Sequence, residues 1–462
     1  MAHDETAKVT MEDLISLCKR RGFIYQGSEI YGGLAGTWDY GPLGVMLKNS
    51  IKQIWWKRFV DDKTDMYGMD AAILMNSKVW KASGHVAGFA DPLVEDLKTK
   101  KRYRADHLLE EAGIDPAGKS VDDMSTMIKE KGIKSPDGNP LGEVRQFNMM
   151  FKTNMGAIES DDNVVYLRPE TAQGMFVNFK NIQDTFHPKL PFGMGQIGKS
   201  FRNEIAPRDF VFRVRELEQM EIEYFVNPKD WEKSFEEFRK ETWNFIEDIG
   251  LDKEKMHEHE IAAEDRAHYS ARTIDFEYDF PFGTKEFSGL AYRTDFDLKA
   301  HTDGSKVDLS YYDEEAKERF MPHCIEPAFG LDRAVLAVIA TAYSTDDLGG
   351  EPRIFLKLSP AVAPYRIAVF PLLKNKPELI AKAKEVWDGL RALAAKHGIP
   401  ASKIAYDETG SIGKRYRRQD EIGTPLCVTV DFDSLEKGTV TVRDRDSGEQ
   451  RTINIADLSS LL

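Results

Sequence analysis

Residues 199–225, KSFRNEIAPRDFVFRVRELEQMEIEYF, are the part of the chain with the densest set of reactive and charged side chains. Four arginines (Arg202, Arg208, Arg213 and Arg215) and five glutamates (Glu204, Glu216, Glu218, Glu221 and Glu223) share this short segment. An arginine fork grips phosphate oxygens and a carboxylate holds an ammonium group, so one chemistry is a polyphosphate held beside an amine. Charges packed this closely are costly to bury unless they meet opposite charge. A solvated hairpin with ordinary cross-strand ion pairs is the other reading, and charge pattern alone does not separate the two.

Periodicity and turn signals predict the framework on which these groups are mounted. Strands are predicted at 192–200, 210–215 and 219–225 with a turn near Pro207. That puts Arg202 and Glu204 on one side of a strand, with Arg213 and Arg215 returning on its partner. Further strands are expected at 164–167, 274–282 and 289–298, and helices at 231–249 and 327–343. Residues 40–60 read as a turn (Gly41, Pro42, Gly44) and an amphipathic helix carrying Trp55, Trp56 and Phe59. From 91 to 162 the composition is polar and irregular, with Pro-Asp-Gly and Asn-Pro turns in 136–140, which reads as an insertion. A linker with Gly349, Gly350, Pro352, Pro360 and Pro364 then precedes alternating elements: strands at 365–372, 404–407, 426–431 and 438–443, helices at 377–397 and 412–422. The expected organisation is α+β. An antiparallel-sheet core (1–90 and 163–358) is interrupted by the insertion (91–162) and followed by a small α/β domain (362–462).

A chain of 462 residues with 41% hydrophobic and 30% charged content is expected to fold into two or three soluble domains. No apolar run reaches the length of a membrane span, and residues 1–10 are too polar for a secretory signal. Cys18, Cys324 and Cys427 lie far apart and form no C-x-x-C pair, which points to a reducing, cytoplasmic setting without a cysteine zinc site. The net charge of −14 is uneven: residues 361–462 carry +2 and the first 360 carry −16. Overall acidity therefore excludes only indiscriminate nucleic-acid binding, since phosphate contact depends on local basic clusters. His85, His187, His268 and His323 are scattered, which favours structural roles. Cys324 reads as a packed small hydrophobe, and Trp55, Trp56 and the aromatics of 231–245 as core or interface.

Three motifs in order decide between the two readings of the charged hairpin. F-R-N-E followed by a loop and R-V-R-E (201–216) resembles motif 2 of class II aminoacyl-tRNA synthetases. E-P-A-F-G-L-D-R (326–333) resembles their motif 3. W-D-Y-G-P-L-G (38–44) and the helix after it resemble motif 1, which forms the dimer interface in that class. The segments R-Y-R-A-D-H-L (102–108), Y-L-R-P-E-T-A-Q-G-M-F (166–176), A-Y-R-T-D-F-D-L (291–298) and G-S-I-G-K-R-Y-R-R-Q-D-E-I-G-T-P (410–425) are similar to the glycyl branch. The chain thus resembles the dimeric glycyl-tRNA synthetases from about residue 10 to its C-terminus.

That resemblance implies ATP-dependent joining of glycine to tRNA(Gly) through a glycyl-adenylate, in a homodimer with no membrane partner. Arg202, Arg333 and Glu286 would be catalytic. Arg202 would bridge the ATP α-phosphate and the glycine carboxylate, Glu204 would meet the adenine, and Arg213 would hold the phosphates. Arg333 would lie near the base and the γ-phosphate, with Glu286 and Phe287 holding ATP and its Mg²⁺. Asn203, Phe212, Val214, Arg215, Glu216 and Leu217 would complete the nucleotide site from motif 2, and Gly330, Leu331 and Asp332 from motif 3. Glycine would sit among Arg104, Glu170, Glu221, Arg293 and Glu326. Leu217, Glu218, Gln219 and Met220 would flank it on one strand, and Pro327, Ala328, Phe329 and Gly330 on another. Lys414, Arg415, Arg417 and Arg418 would contact tRNA from an anticodon-binding domain.

Three departures stand out. Ala328 occupies the place of a serine common in the family, and Leu217 that of a phenylalanine that would stack on adenine. Leu97 and Lys100 fall where relatives often carry a C-x-x-C, so no zinc is expected. A synthetase for threonine, proline or histidine is a second reading, and a synthetase-like RNA-binding protein without catalysis a third. The third should have lost the phosphate-binding arginines, yet Arg202 and Arg333 are both present.

Overall fold

The computed structural model describes residues 9–116, 118–157, 160 and 163–462. Residues 1–8 of the polar start, and 161–162 where the inserted segment is expected to end, lie outside them. Helix α1 (Met11–Arg21) starts in a capping box, with Thr10 Oγ1 accepting from the Asp13 N–H at 3.2 Å and Asp13 Oδ2 from the Thr10 N–H at 3.0 Å. It ends at Gly22 in the left-handed region, φ 77°. Helix α2 (Pro42–Trp56) opens with proline at its first position, where no hydrogen bond is lost. Its Gly44 lies so close to the preceding loop that a Cβ would stand 2.0 Å from the Phe23 carbonyl oxygen.

The centre is a seven-stranded sheet in the order β4-β5-β6-β7-β3-β2-β1. Its strands are β1 (Met66–Gly68), β2 (Phe192–Phe201), β3 (Glu216–Val226), β4 (Met256–Glu260), β5 (Arg272–Phe280), β6 (Gly283–Thr294) and β7 (His323–Gly330). All neighbours are antiparallel except β1 with β2. Helices α2, α3 (Trp231–Asp248) and α4 (Leu331–Ala342) cover one face, and Trp55, Phe59 and Phe245 converge on Phe329 there. The opposite face of β7, β3 and β6 is left to the site described below.

The charged hairpin differs from its expected form. Beyond β2 the chain leaves the sheet, and 202–215 is a loop closed by a bridge between Arg208 and Arg213, with Asp209 and Phe210 at φ 59° and 60°. No strand forms at 210–215: the left-handed turn at Asp209 and Phe210 leads into a single bridge, and the main chain of Arg215 bonds to Arg202 and Gly36. Residues 296–298 open a helix (Phe296–Ser305), and 327–330 are the end of β7 rather than the start of a helix. The expected linker contains a hairpin, Tyr343–Asp347 with Pro352–Leu356. Nor are the described residues of 91–162 irregular. They hold a sheet of Ala90–Glu95, Arg102–Arg104 and Arg145–Asn148 and two helices, Ala105–Glu111 and Val121–Glu130, around Val94, Leu109 and Ile128.

The C-terminal sheet runs β9-β8-β10-β11-β12, from β8 (Ile367–Pro371), β9 (Ile404–Tyr406), β10 (Leu426–Val430), β11 (Thr439–Asp444) and β12 (Gln450–Asn454). Its first three strands are parallel and its last two antiparallel. Helix α5 (Pro377–Lys396) covers one face, and α6 (Ile412–Ile422) packs Tyr416 on Phe370 across the other. Cys18, Cys324 and Cys427 are buried and free. Among the described residues no helix is long and apolar enough to cross a membrane.

Candidate active site

A cleft of about 410 Å³ opens over β3, β6 and β7. Its floor is made of small side chains in register: Ala328 of β7 pairs with Glu221 of β3 on one side and Gly289 of β6 on the other. Along β3 the alternation turns Gln219, Glu221 and Glu223 toward this face, while Met220 and Ile222 enter the core.

One end of the cleft is cationic. Arg202 Nε donates to the Pro169 carbonyl at 3.0 Å, and its guanidinium lies 5.6 Å over the Phe89 ring, so its remaining nitrogens face the cleft. Arg333 lies 4.5 Å over the Phe212 ring, donates from Nη1 to the Glu286 carbonyl and forms an ion pair with Glu286 Oε2, both at 3.1 Å. That neighbour holds the Glu286 carboxyl below its usual range. Burial and the nearby Arg104, Arg208 and Arg333 push the Arg213 pKa down, against the pull of Glu204. Glu204 Oε2 is 3.8 Å from Arg213 Nη1, too far to accept a hydrogen bond, and this buried oxygen has no other donor. An unsatisfied buried acceptor beside under-neutralised arginines is arranged for an anion with a hydrogen-bond donor attached.

The other end is acidic. Glu170, Glu221 and Glu326 converge on it, from the loop before residues 172–176, from β3 and from β7. Glu221 Oε2 accepts from the Thr171 N–H at 3.0 Å and from its hydroxyl, while Oε1 accepts from Gln219 Nε2 at 2.5 Å. Glu170 lies 3.3 Å from His85 Nε2 and accepts from Gln173 at 3.0 Å. Arg293, 2% exposed, clamps Asp297 through two nitrogens at 2.8 and 2.9 Å and reaches Glu326 Oε1 at 2.8 Å. Burial, partly offset by Arg293 and reinforced by Glu221 and Glu170, raises the Glu326 pKa to about 8. The hollow thus carries more carboxylate than it can keep ionised alone.

The expected site residues divide accordingly. Arg104, Arg202, Glu204, Phe212, Arg213, Val214, Leu217, Glu286 and Arg333 line the cationic end, and Glu170, Gln219, Glu221, Glu326 and Ala328 the other. Arg104 stands beside Glu204 and Arg213 instead of in the glycine hollow expected for it. Glu218, Phe329, Gly330 and Asp332 reach the wall at its edge. Asn203, Glu216, Pro327 and Arg293 lie outside the lining, Arg293 as the prop of Glu326. Met220, Phe287 and Leu331 are core residues. Arg215 turns away and donates to the carbonyls of Glu204 and Ala35. Arg104 is engaged by Asp91 at 2.6 Å and Asp106 at 2.5 Å. Arg415 is a correction: it is buried and bonded to the carbonyls of Pro371 and Gly410, so it secures α6 instead of facing solvent. Arg418 pairs with Asp407 and Arg417 with Glu351, leaving Lys414 the exposed member of the four.

Sequence reasoning missed Tyr269, Asp275 and Thr171. Tyr269 stacks 3.8 Å over the Arg293 guanidinium, and Asp275, on β5 beside Gly289, has its pKa raised to about 7 by burial and by Glu286 and Glu277. No local pattern marks Tyr269 or Asp275, which reach the cleft through a distant loop and through strand order, whereas Thr171 follows Glu170 within the 166–176 motif and acts from behind the lining, on Glu221. Among the described residues no group of three or more His, Cys, Asp or Glu side chains is placed to hold a metal ion.

A family model described as the tRNA synthetase class II core domain (G, H, P, S and T) matches residues 151–342, and one described as an anticodon binding domain matches 366–462. Fold and site together define a class II aminoacyl-tRNA synthetase. Giardia lamblia prolyl-tRNA synthetase, solved in complex with prolyl-adenylate, shares the fold at a TM-score of 0.67 and 16% identity, over 97% of this chain and 75% of that one. The glycine–tRNA ligase of Bacillus anthracis is 50% identical over 98% of each chain. That of Geobacillus thermodenitrificans is 49% identical over 100% of this chain and 99% of its own. The chain belongs to the glycine–tRNA ligase family.

Proposed function

We propose that this cleft joins glycine to ATP as glycyl-adenylate and passes the glycyl group to the 3′ end of tRNA(Gly). The observation that carries this reading is the division of one cleft between under-neutralised arginines and a ring of carboxylates propped by Arg293. In-line attack of a carboxylate on the α-phosphorus needs no protein nucleophile. It needs two anions held together and their charge offset. Arg202, between the two ends, bridges the α-phosphate and the glycine carboxylate, while Arg213 and Arg333 hold the outer phosphates. Glu204, with its unsatisfied Oε2, accepts from the adenine amine. Glu286 is the residue that would face Mg²⁺ arriving with ATP, and when bound that ion offsets charge on the leaving pyrophosphate. Glu286 paired with Arg333, with Asp275 nearby and no three-ligand cluster among the described residues, fits an ion carried by the triphosphate.

Glu170, Glu221 and Glu326 receive the glycine ammonium and wall off the space a side chain would need. The carboxylates are fixed by Thr171, Gln173, Gln219 and Arg293, so a methyl group at that point meets groups that cannot retreat. Alanine is expected to support ATP–pyrophosphate exchange at least a hundredfold less efficiently than glycine, and comparable rates would refute this selection mechanism. The parent reading is tested by glycine-dependent exchange with Arg202→Ala as control: the folded variant should lose exchange by a factor of a thousand or more. We further infer a cytoplasmic homodimer built on α2, where Val45, with Ile30, Tyr31 and Leu34 nearby in sequence, presents apolar surface to solvent. Sedimentation that returned only monomer would remove that part. Lys414 is the basic residue of α6 best exposed to meet tRNA phosphate.

A further inference from the structure

Behind the cleft lies a buried charge cluster drawn from three distant segments, residues 40–52, Glu218 and Asp332. Lys48 of α2, with 8% of its side chain exposed, places Nζ 2.9 Å from Glu218 Oε2 on β3 and 3.1 Å from Asp332 Oδ1 at the start of α4. Tyr40 donates its hydroxyl to the same Asp332 oxygen at 2.6 Å, and its ring lies 4.1 Å from the Lys48 amine. Asp332 Oδ2 accepts the backbone N–H of Glu218 at 2.8 Å, and Lys52 reaches Glu218 Oε1 at 3.2 Å. The titratable groups facing the cluster are therefore Lys48 and Lys52 of α2, Tyr40, Glu218, Asp332 and the buried Cys18 of α1 behind Tyr40.

Neither carboxylate needs to touch a substrate for the cluster to matter. Asp332 immediately precedes Arg333, and Glu218 lies between Leu217 and Gln219, both of which line the cleft. One amine thus ties together the first turn of α4, which aims Arg333, and the strand that carries Glu221. We propose that Lys48 is a positioning residue for the nucleotide, holding Asp332 to Glu218 so that Arg333 stands over Phe212 and Glu286. Without the Lys48 ammonium, no cation stands between Asp332 and Glu218; Lys52 holds only the far oxygen of Glu218, and Tyr40 gives Asp332 a neutral donor. Like charges left without a shared cation in a dry site separate, which moves the base of Arg333. This inference rests on the assignment of Arg333 to ATP made above.

The test is ATP–pyrophosphate exchange by the full chain, comparing wild type, Lys48→Met and the pair Lys48→Met with Glu218→Gln. Lys48→Met is expected to raise the KM for ATP at least tenfold and to leave the KM for glycine within threefold. The double variant, with one charge of the pair removed, should recover at least a third of the lost ATP affinity. Should the single variant fail to fold, the double variant against Glu218→Gln alone carries the same comparison. An unchanged KM for ATP, or a loss of kcat alone that ignores the second substitution, overturns the positioning role while leaving the parent reading intact. Absence of glycine-dependent exchange in wild type would instead bring down that reading itself.

Discussion

Glu326 shows how one side chain can be tuned by the company it keeps. Burial raises its pKa to about 8, with Glu221 and Glu170 adding to the rise and Arg293 opposing it. Glu223 and Tyr269 also face this corner. At neutral pH the free pocket therefore holds a proton on Glu326, and an arriving ammonium favours the ionised form and expels it. Glycine affinity should then improve as pH rises through this value: the KM for glycine is expected to fall several-fold between about pH 7 and pH 8.5, and Glu326→Gln to flatten that slope. A wild-type KM that stayed constant over the interval would show that the proton is not displaced. Glu204 makes a separate prediction at the other end of the cleft. A hydrogen bond to a charged group contributes about 1.5–3 kcal/mol, so Glu204→Ala should raise the KM for ATP roughly tenfold or more and spare that for glycine.

Among the helices, two glycines have opposite meanings. Gly44 lets α2 touch the loop before it, and a Cβ there would sit 2.0 Å from the Phe23 carbonyl oxygen. Gly44→Ala must push α2 off its seat, at a cost of about 1–3 kcal/mol of overpacking that lowers the melting temperature. Gly389, within α5, has open space around its missing Cβ, so Gly389→Ala should stabilise by about 0.5–1 kcal/mol through helix propensity. Thermal denaturation of the two variants should move in opposite directions. In the loop at 202–215 main-chain carbonyls hold arginine side chains, as those of Glu204 and Ala35 hold Arg215.

The two halves of the chain are joined by a second buried network. Asp420 of α6 accepts from Arg443 at 2.8 and 3.0 Å and from Arg353 at 3.1 Å, which ties the hairpin of residues 343–356 to the C-terminal domain. Asp420→Ala leaves two buried arginines without this partner, a change that costs about 3–5 kcal/mol in comparable cases. The expected result is a loosened C-terminal domain: charging of tRNA should fall by tenfold or more, while glycine-dependent exchange, which needs the cleft alone, stays within threefold of wild type. Equal losses in both assays would mean that the two parts do not work separately.

Whatever depends on local order could be read along the chain. The glycine, proline and aromatic residues of 38–60, the charged run of 199–225 and the helix signals at 231–249, 377–397 and 412–422 each announce an element or a chemistry, because periodicity, capping and residue type are local properties. Motif order then pointed to the synthetase family and to most of the side chains that line the cleft. Which charged groups meet was a matter for the folded chain. Strand order sets Ala328 between Glu221 and Gly289, and burial hides Arg415 while leaving Lys414 exposed. Lys48 is invisible as a site residue until α2 is laid across β3 and α4. The sign and cost of a charge depend on its neighbours in space, and strands far apart in the chain supply them.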